Sequence, residues 1–194
     1  MKINRTIKHL PRKVIPGILV FLLMAVGLHA QGVYYTENGQ VEFVSDAPLE
    51  LIRASSNSLR GAVDLEKRTF AFSINNNSFK GFNSALQQEH FYENYIESHR
   101  YPVSVFQGKI IEDHDFSKDG TYQLRAKGDF GIHGITQEKI IKAMLVKKGD
   151  QLEIMAEFTV PLEDHDIKIP RIVYRKIAEV INVKIQAELH KREE

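Results

Sequence analysis

The chain has 194 residues, in which 26 Lys and Arg nearly balance 25 Asp and Glu for a net charge of +1. It contains no cysteine, which excludes disulfides, thiol catalysis, iron–sulfur clusters and the acylated cysteine of a bacterial lipoprotein. The length suits one ordinary domain that can bury a hydrophobic core unaided.

Residues 1–30 have the layout of a secretory signal peptide. Five basic and no acidic residues occur in this stretch, with an apolar run at 14–28 and small residues up to Ala30. Cleavage is predicted after Gly27 or Ala30. A retained N-terminal anchor is the alternative, although a membrane span needs about 20 apolar residues.

Signal cleavage would change the charge balance of the protein. The mature chain, residues 31–194, keeps 21 Lys and Arg against 25 Asp and Glu, a net charge of −4. Such a chain is a poor candidate for binding nucleic acid or anionic lipid surfaces through charge. We expect a soluble bacterial protein of the periplasm or the medium, without a stable membrane span; a monomer and a homodimer both remain open.

The mature chain alternates apolar and polar residues in one segment after another. The clearest case is residues 151–160, where Leu152, Ile154 and Ala156 alternate with polar neighbours. This period of two predicts strands with one buried and one solvated face. The predicted strands are 40–45, 49–55, 59–65, 69–74, 103–111, 121–130, 140–147, 151–160 and 178–190, with turn-rich joins at 46–48, 55–58, 75–77, 118–120 and 148–150.

Eight or nine strands with short connections predict an all-β, antiparallel meander. No second long helix is available to cover the apolar face of the sheet, so the sheet has to bury that face on itself. A closed up-and-down barrel of about eight strands does so and removes the exposed edges, whereas a two-sheet sandwich, the alternative, leaves edges to protect.

Residues 81–102 are the exception to the strand pattern and predict a short helical insert. In this segment Phe82, Leu86 and His90 recur at i, i+4 and i+8, which predicts an apolar stripe that a barrel mouth can receive. The opposite, solvated face is predicted to carry Glu89, Glu93 and Glu97. The insert from 82 to 96 is therefore predicted to act as a lid; a structural plug that only fills the mouth is the alternative.

The predicted inward side chains are bulky. They are Phe43, Phe70, Phe72, Ile74, Phe106, Tyr122, Leu124, Phe130, Phe158 and Ile185. A barrel of this size either fills its interior with side chains or holds one small ligand, and the alternation does not decide between the two.

The polar motifs give little support for catalysis or metal binding. The tetrapeptide Glu-Asp-His-Asp occurs at 112–115 and at 163–166, and its side chains are usable metal ligands. Both copies are predicted to be exposed turns, and no metal site is expected. His90 and His99 lack a helical ligand spacing, and His133 lies in a glycine-flanked turn. Nucleophile-elbow, phosphate-loop and zinc-protease motifs do not occur, so no catalytic residue is assigned.

Three ordered motifs resemble the signatures of the YceI-like family. The first is LQQEHFYENYIES at 86–98, followed by Tyr101-Pro102 and FQGKI at 106–110; the second is GDFGIHGIT at 128–136; the third is FTVPLEDHDIKIP at 158–170. The chain departs from the family at Gln87, where methionine is common, and at His165, where an aromatic residue is common.

The resemblance implies a lipocalin-like barrel, exported to the periplasm, that holds a long isoprenoid or other amphipathic lipid without catalysis or a cofactor. A barrel with a filled core, acting as a stress-related or interaction protein, is the alternative, and a metal-dependent enzyme is a weaker one. The residues predicted to contact an isoprenoid or fatty-acyl ligand are Phe72, Phe82, Leu86, His90, Phe91, Tyr95, Phe106, Tyr122, Phe130 and Phe158.

Overall fold

Eight antiparallel strands, each paired with the next along the chain, form the framework of the protein. The computed structural model describes residues 32–191, so the predicted signal peptide at 1–30 lies outside the described residues. The strands are β1 (Val33–Asp46), β2 (Leu51–Asp64), β3 (Thr69–Asn75), β4 (Val103–Ile110), β5 (Gly120–Ile132), β6 (Ile135–Lys148), β7 (Gln151–Pro161) and β8 (Val180–Lys191).

The sheet closes on itself because the first and last strands pair. Val41 lies opposite Ile185 and Phe43 opposite Val183 in the β1–β8 ladder, and the strand order around the barrel follows the sequence from β1 to β8. The predicted closed up-and-down barrel is confirmed. Closure satisfies the backbone hydrogen bonds of both outer strands and leaves the apolar faces directed inward.

Strand β2 was predicted as two strands, and this prediction was wrong. The run Ser55-Ser56-Asn57-Ser58 has the composition of a turn, yet the strand continues through it, with Ser56 buried and paired with Val41. Its hydroxyl oxygen lies 2.6 Å from that of Ser78, so the buried hydroxyl has a partner. Tertiary pairing therefore overrides the local preference of serine and asparagine for turns.

Strand β1 begins at Val33, seven residues before the predicted start at Gln40. The first half of β1 contains the polar run Thr36-Glu37-Asn38-Gly39, which interrupts the alternation of apolar and polar residues. The β1–β2 register shifts on both sides of Gly39, as a bulge does. The bulge accommodates residues that break the alternation, which is why the pattern alone missed this part of the strand.

The two ends of the barrel differ. At the lower end, where β1 begins and β8 ends, Leu152 and Leu189 are completely buried and the loop 111–119 folds Phe116 into the core. The upper end carries the connections 47–50, 76–102, 133–134 and 162–179. The lower end is therefore a filled core, and the long insertions gather at the upper end.

The insert contains a six-residue helix, α1 (Ala85–His90), continued by one π-helical turn at Phe91–Tyr95. Ser84 caps the helix, because its hydroxyl oxygen accepts a hydrogen bond from the Gln87 amide at 3.1 Å. The predicted helical character of this segment is thus confirmed in a shorter form. Among residues 32–191, the helices are all too short to cross a bilayer.

Candidate ligand cavity

The upper part of the barrel encloses a cavity of about 480 Å³. Side chains from all eight strands and from the insert line it, and nearly all of the lining on the strands is apolar. Val63 and Leu145 form its floor, above the filled lower end. The lumen of this barrel is therefore not filled by its own side chains.

Aromatic rings form one wall of the cavity. The ring centroid of Phe106 lies 4.8 Å from that of Phe70 and 5.8 Å from that of Phe130, and Phe130 lies 5.7 Å from Phe158. These separations suit favourable ring contacts. On the neighbouring wall, Ala143 and Ala156 pair directly across β6 and β7. Small side chains at these two lining positions leave the space that the rings do not fill.

The insert docks on the rim through a second aromatic cluster. Phe91 stacks on Phe43 of β1 with centroids 5.2 Å apart, and it contacts Phe82 at 5.1 Å and Phe79 at 5.9 Å. Ile96, at the end of the π-helical turn, is also buried and lines the cavity. The insert thus presents apolar side chains to the lumen from above.

The predicted apolar stripe on the insert was only partly right. Phe82, Leu86 and His90 all line the cavity, but Leu86 is 58% exposed and His90 is also exposed. The π-helical turn after His90 shifts the phase of the helix, so that Phe91 takes the docking position. Glu89 and Glu93 are exposed as predicted.

Nine of the ten residues predicted to contact a ligand line this cavity; they are Phe72, Phe82, Leu86, His90, Phe91, Tyr95, Phe106, Phe130 and Phe158. Tyr122 does not. Its ring packs on Phe116 at 5.1 Å, and its hydroxyl donates to the carbonyl oxygen of Lys118 at 2.7 Å, at the lower end of the barrel. Tyr122 alternates with the inward residues and lies opposite Leu145, but its side chain packs against the loop 111–119 and does not line the cavity.

Three polar side chains on the cavity wall, those of Ser45, Asn76 and Ser104, are paired with other protein groups. The Ser45 hydroxyl accepts from the Ala178 amide at 2.8 Å. Buried Asn76 donates to the Tyr101 carbonyl at 2.7 Å and accepts from the Ser104 hydroxyl at 2.8 Å. Because these groups satisfy each other, the wall offers a ligand mainly apolar contact.

The titratable groups of the lining stand at the rim. Glu50 accepts a hydrogen bond from the Gln87 side chain at 2.9 Å, which ties the insert to the β1–β2 connection. Gln87 serves this rim contact. Burial raises the pKa of the Tyr95 hydroxyl. The other titratable side chains that line the cavity are those of His90 and Lys176.

A histidine pair beneath the rim was missed by sequence reasoning. His165 was predicted to lie in an exposed turn, but it is completely buried. Its Nδ1 lies 3.3 Å from the Ile135 carbonyl, and its own carbonyl accepts from His133 Nδ1 at 2.9 Å. Burial lowers the pKa of His165. The prediction failed because the charged neighbours Asp164 and Asp166 are exposed and suggested the same for the histidine.

His133 keeps its predicted turn position, with φ of 52° beside Gly134 at 74°. Its Nε2 lies 3.5 Å from Glu97 Oε1, and its ring meets that of Tyr101 at 4.9 Å. Glu97 is therefore half-buried and not on the solvated face, contrary to the prediction. A Cβ on Gly134 would approach the Tyr101 ring to 2.4 Å, so this contact needs glycine.

The two Glu-Asp-His-Asp segments lie at opposite ends of the barrel. In the first, Glu112 pairs with Arg125 and Asp113 with Arg68, each at 2.7 Å. The second contains the buried His165. Within residues 32–191, no three potential metal-ligating side chains of the kind His, Cys, Asp or Glu converge on one point.

Residues 34–189 match the family model of the YceI-like domain. The chain belongs to the YceI-like family. The three motifs that resemble the family signatures lie mostly at the upper end, because 86–98 is in the insert, 128–136 is the β5–β6 hairpin, and 158–170 is the end of β7 with the connection that follows. The continuation of the first motif at 106–110 runs along β4. The family signature is thus concentrated at the upper end of the barrel, around the cavity.

Solved structures share the YceI-like barrel at low sequence identity. A polyisoprenoid-binding domain from Saccharophagus degradans, implicated in plant cell wall breakdown, superposes with a TM-score of 0.70 at 11% identity, over 83% of this chain and 99% of that one. BcnA of Burkholderia cenocepacia gives 0.63 at 12% identity, over 79% and 96%. The YceI protein of Campylobacter jejuni gives 0.51 at 12% identity, over 100% and 94%. No curated protein matches the chain.

Proposed function

We propose that this YceI-like protein binds a long apolar chain, an isoprenoid or a fatty-acyl lipid, in the lumen of the barrel and performs no catalysis. The observation that carries the proposal is the 480 Å³ apolar cavity beneath an aromatic insert. The similarity to a polyisoprenoid-binding domain supports the same class of ligand. We also propose that the protein acts in the periplasm or outside the cell, after removal of residues 1–30.

The energetics favour a chain-like ligand. Each buried methylene contributes about 0.8 kcal/mol, so a long chain binds tightly with few polar contacts. The wall of the cavity is mainly apolar, and three of its polar side chains, those of Ser45, Asn76 and Ser104, are already paired. Glu50, His90 and Lys176 stand at the rim. The chain would therefore lie in the lumen and the head group at the mouth.

The open lumen argues against the filled-core alternative. A barrel that serves as a scaffold or interaction module has no need for small residues at Ala143 and Ala156 on an inner wall. An acid–base or nucleophilic mechanism would need titratable groups that meet around a reacting atom. The titratable lining residues instead stand apart on the rim.

The test is the lipid that accompanies the natively purified protein. Mass spectrometry of organic extracts should find a long-chain lipid at a stoichiometric amount. Ala143→Phe would place a ring in the lumen and should remove most of that lipid, while Ala71→Phe, on the exposed outer face of β3, should retain it. Melting temperatures of both variants establish that each is folded. Repeated wild-type extracts without lipid would overturn the proposal.

A further inference from the structure

The connection before β8 has an unusual composition. We call residues 167–178, with the sequence IKIPRIVYRKIA, the mouth loop. It contains Lys168, Arg171, Arg175 and Lys176 and no acidic residue. The mature chain as a whole has more acidic than basic residues, so these four cations form a local patch of the opposite sign. A net charge for the whole chain conceals such a patch.

The mouth loop also exposes apolar side chains. Ile172 is 92% exposed and Tyr174 is 65% exposed, the highest values for large apolar residues in the described part of the chain. Between them, Val173 turns the other way and lines the cavity. Leu49, at 59% exposure, lies on the same rim, because its amide donates to the Arg175 carbonyl at 2.9 Å. Exposed apolar residues grouped in this way mark an interaction surface.

The exposure of this surface is built into the fold. The Val173 amide donates to the Pro170 carbonyl at 2.9 Å and the Lys176 amide to the Val173 carbonyl at 2.8 Å, which gives the loop a fixed turn. At its end, the Ala178 amide donates to the Ser45 hydroxyl at 2.8 Å. The backbone therefore holds Ile172 and Tyr174 outward while cations flank them on both sides.

We propose that the mouth loop docks the barrel onto an anionic phospholipid bilayer, with Ile172 and Tyr174 entering the interfacial region. Basic residues are attracted to anionic lipid head groups, and aromatic and apolar side chains favour the membrane interface. Val173 and Lys176 of the loop line the cavity, so docking places this part of the rim against the bilayer. Transfer of a lipid between bilayer and lumen would be the purpose of docking, and this purpose rests on the proposed function.

The charges around the loop are consistent with docking by this side of the mouth. Arg171, Arg175 and Lys176 take part in none of the ion pairs found within residues 32–191, so their charge is available. Lys168 is paired with Asp166 at 3.4 Å. Exposed carboxylates flank the loop on both sides, at Glu163 and Asp164 before it and at Glu179 after it. Glu89 and Glu93 are exposed on the insert. The carboxylates of Glu89 and Glu93 would be repelled by anionic lipid, which disfavours contact through the insert.

Co-sedimentation with vesicles tests the proposal. The full mature protein should bind vesicles of phosphatidylcholine containing phosphatidylglycerol, and should bind phosphatidylcholine alone far more weakly. Binding should be lost in about 1 M salt, where the Debye length is about 3 Å. The double variant Arg171→Gln/Arg175→Gln should lower the partition coefficient about 30-fold at low salt. Ile172→Ser should lower it about tenfold.

Matched controls lie on the outer wall of the barrel. Lys109→Gln/Lys142→Gln changes the net charge by the same amount away from the mouth, and Ile140→Ser removes an isoleucine that is 54% exposed on β6. Both controls should bind vesicles like the wild type. Equal binding to both kinds of vesicle, equal losses in variants and controls, or binding only to an acidic protein surface would overturn the proposal.

Comparing vesicle binding with the binding of a soluble probe distinguishes docking from ligand binding. Arg171, Arg175 and Ile172 do not line the cavity, so their variants should bind a fluorescent fatty-acid probe in solution as the wild type does. Probe binding without vesicle binding would overturn docking alone. Vesicle binding without any lipid in the lumen would overturn the proposed function and leave docking standing.

Discussion

His165 shows how one buried side chain ties the upper end of the barrel together. Its carbonyl accepts from His133, its ring packs against Phe130 with centroids 5.6 Å apart, and its Nδ1 faces the Ile135 carbonyl. The third signature of the family is in this way fastened to the second. Its Nε2 is buried without a hydrogen-bond partner in the described structure, so protonation there would leave a buried charge unsatisfied.

We predict that His165 makes the protein less stable in acid. Burial lowers its folded-state pKa below the ordinary value of 6.5, so the unfolded chain binds more protons below that pH. The contribution of neutral His165 to the free energy of unfolding is fully present above pH 6.5. It is lost as the pH falls through the folded-state pKa. Urea unfolding measured between about pH 7 and 5 should show this decline. His165→Asn should reduce the decline, and His190→Asn, on the outer wall, should retain it.

A pair of glycines sets the close approach of β4 and β5. Gly108 and Gly128 lie opposite each other, and a Cβ on Gly108 would come within 2.1 Å of the Lys127 carbonyl oxygen. We predict that Gly108→Ala lowers the free energy of unfolding by about 3 kcal/mol, since backbone must move. At Gly120 the nearest atom is 3.7 Å away. Denaturation of Gly120→Ala should show a much smaller loss, and equal losses would contradict this explanation.

At the scale of elements, the insert packs on the barrel mainly through its π-helical turn and less through its helix. Helix α1 has only six residues, and no residue in it is buried. The turn that follows supplies Phe91, which packs against three other phenylalanine rings. A side-chain hydrogen bond from Gln87 to Glu50 joins the helix to the β1–β2 connection. The insert is thus held at two points above the lumen.

We predict that the insert gates the cavity. Phe91→Ala should remove packing at the mouth and speed ligand release more than it slows entry. Because Phe91 is only half-buried, the loss in the free energy of unfolding should be about 2 kcal/mol, below that of a core phenylalanine. Leu86→Ala changes a lining residue that is 58% exposed, and should have a small effect on stability. Stopped-flow release of a fluorescent fatty-acid or polyprenyl probe measures both variants. An unchanged dissociation rate in Phe91→Ala would mean that the insert is structural.

At the scale of the whole molecule, we predict export with cleavage of the N-terminal segment. N-terminal sequencing of protein from the periplasm should begin near Leu28 or Gln31. Replacing Leu22 and Leu23 by arginine interrupts the apolar run and should retain the full-length chain in the cytoplasm. Wild-type protein that keeps Met1 in the cytoplasm would contradict the prediction.

The order of the strands and the closure of the barrel followed from the sequence, because alternation reports which face of each strand is buried and short connections restrict the topology. Nine of the ten predicted ligand-binding residues lie around one cavity for the same reason. Tyr122 lies outside the cavity lining, because alternation says which side chains point inward and not how deep in the barrel they lie.

Tertiary structure alone decided the features that depend on contacts distant in the sequence. Ser56 continues a strand because Val41 and Ser78 meet it, and His165 is buried because the β5–β6 hairpin covers it. The cavity itself is a difference between the volume enclosed by eight strands and the volume of the side chains inside. Such a difference exists only once the barrel has closed, so the sequence left open whether the lumen was filled.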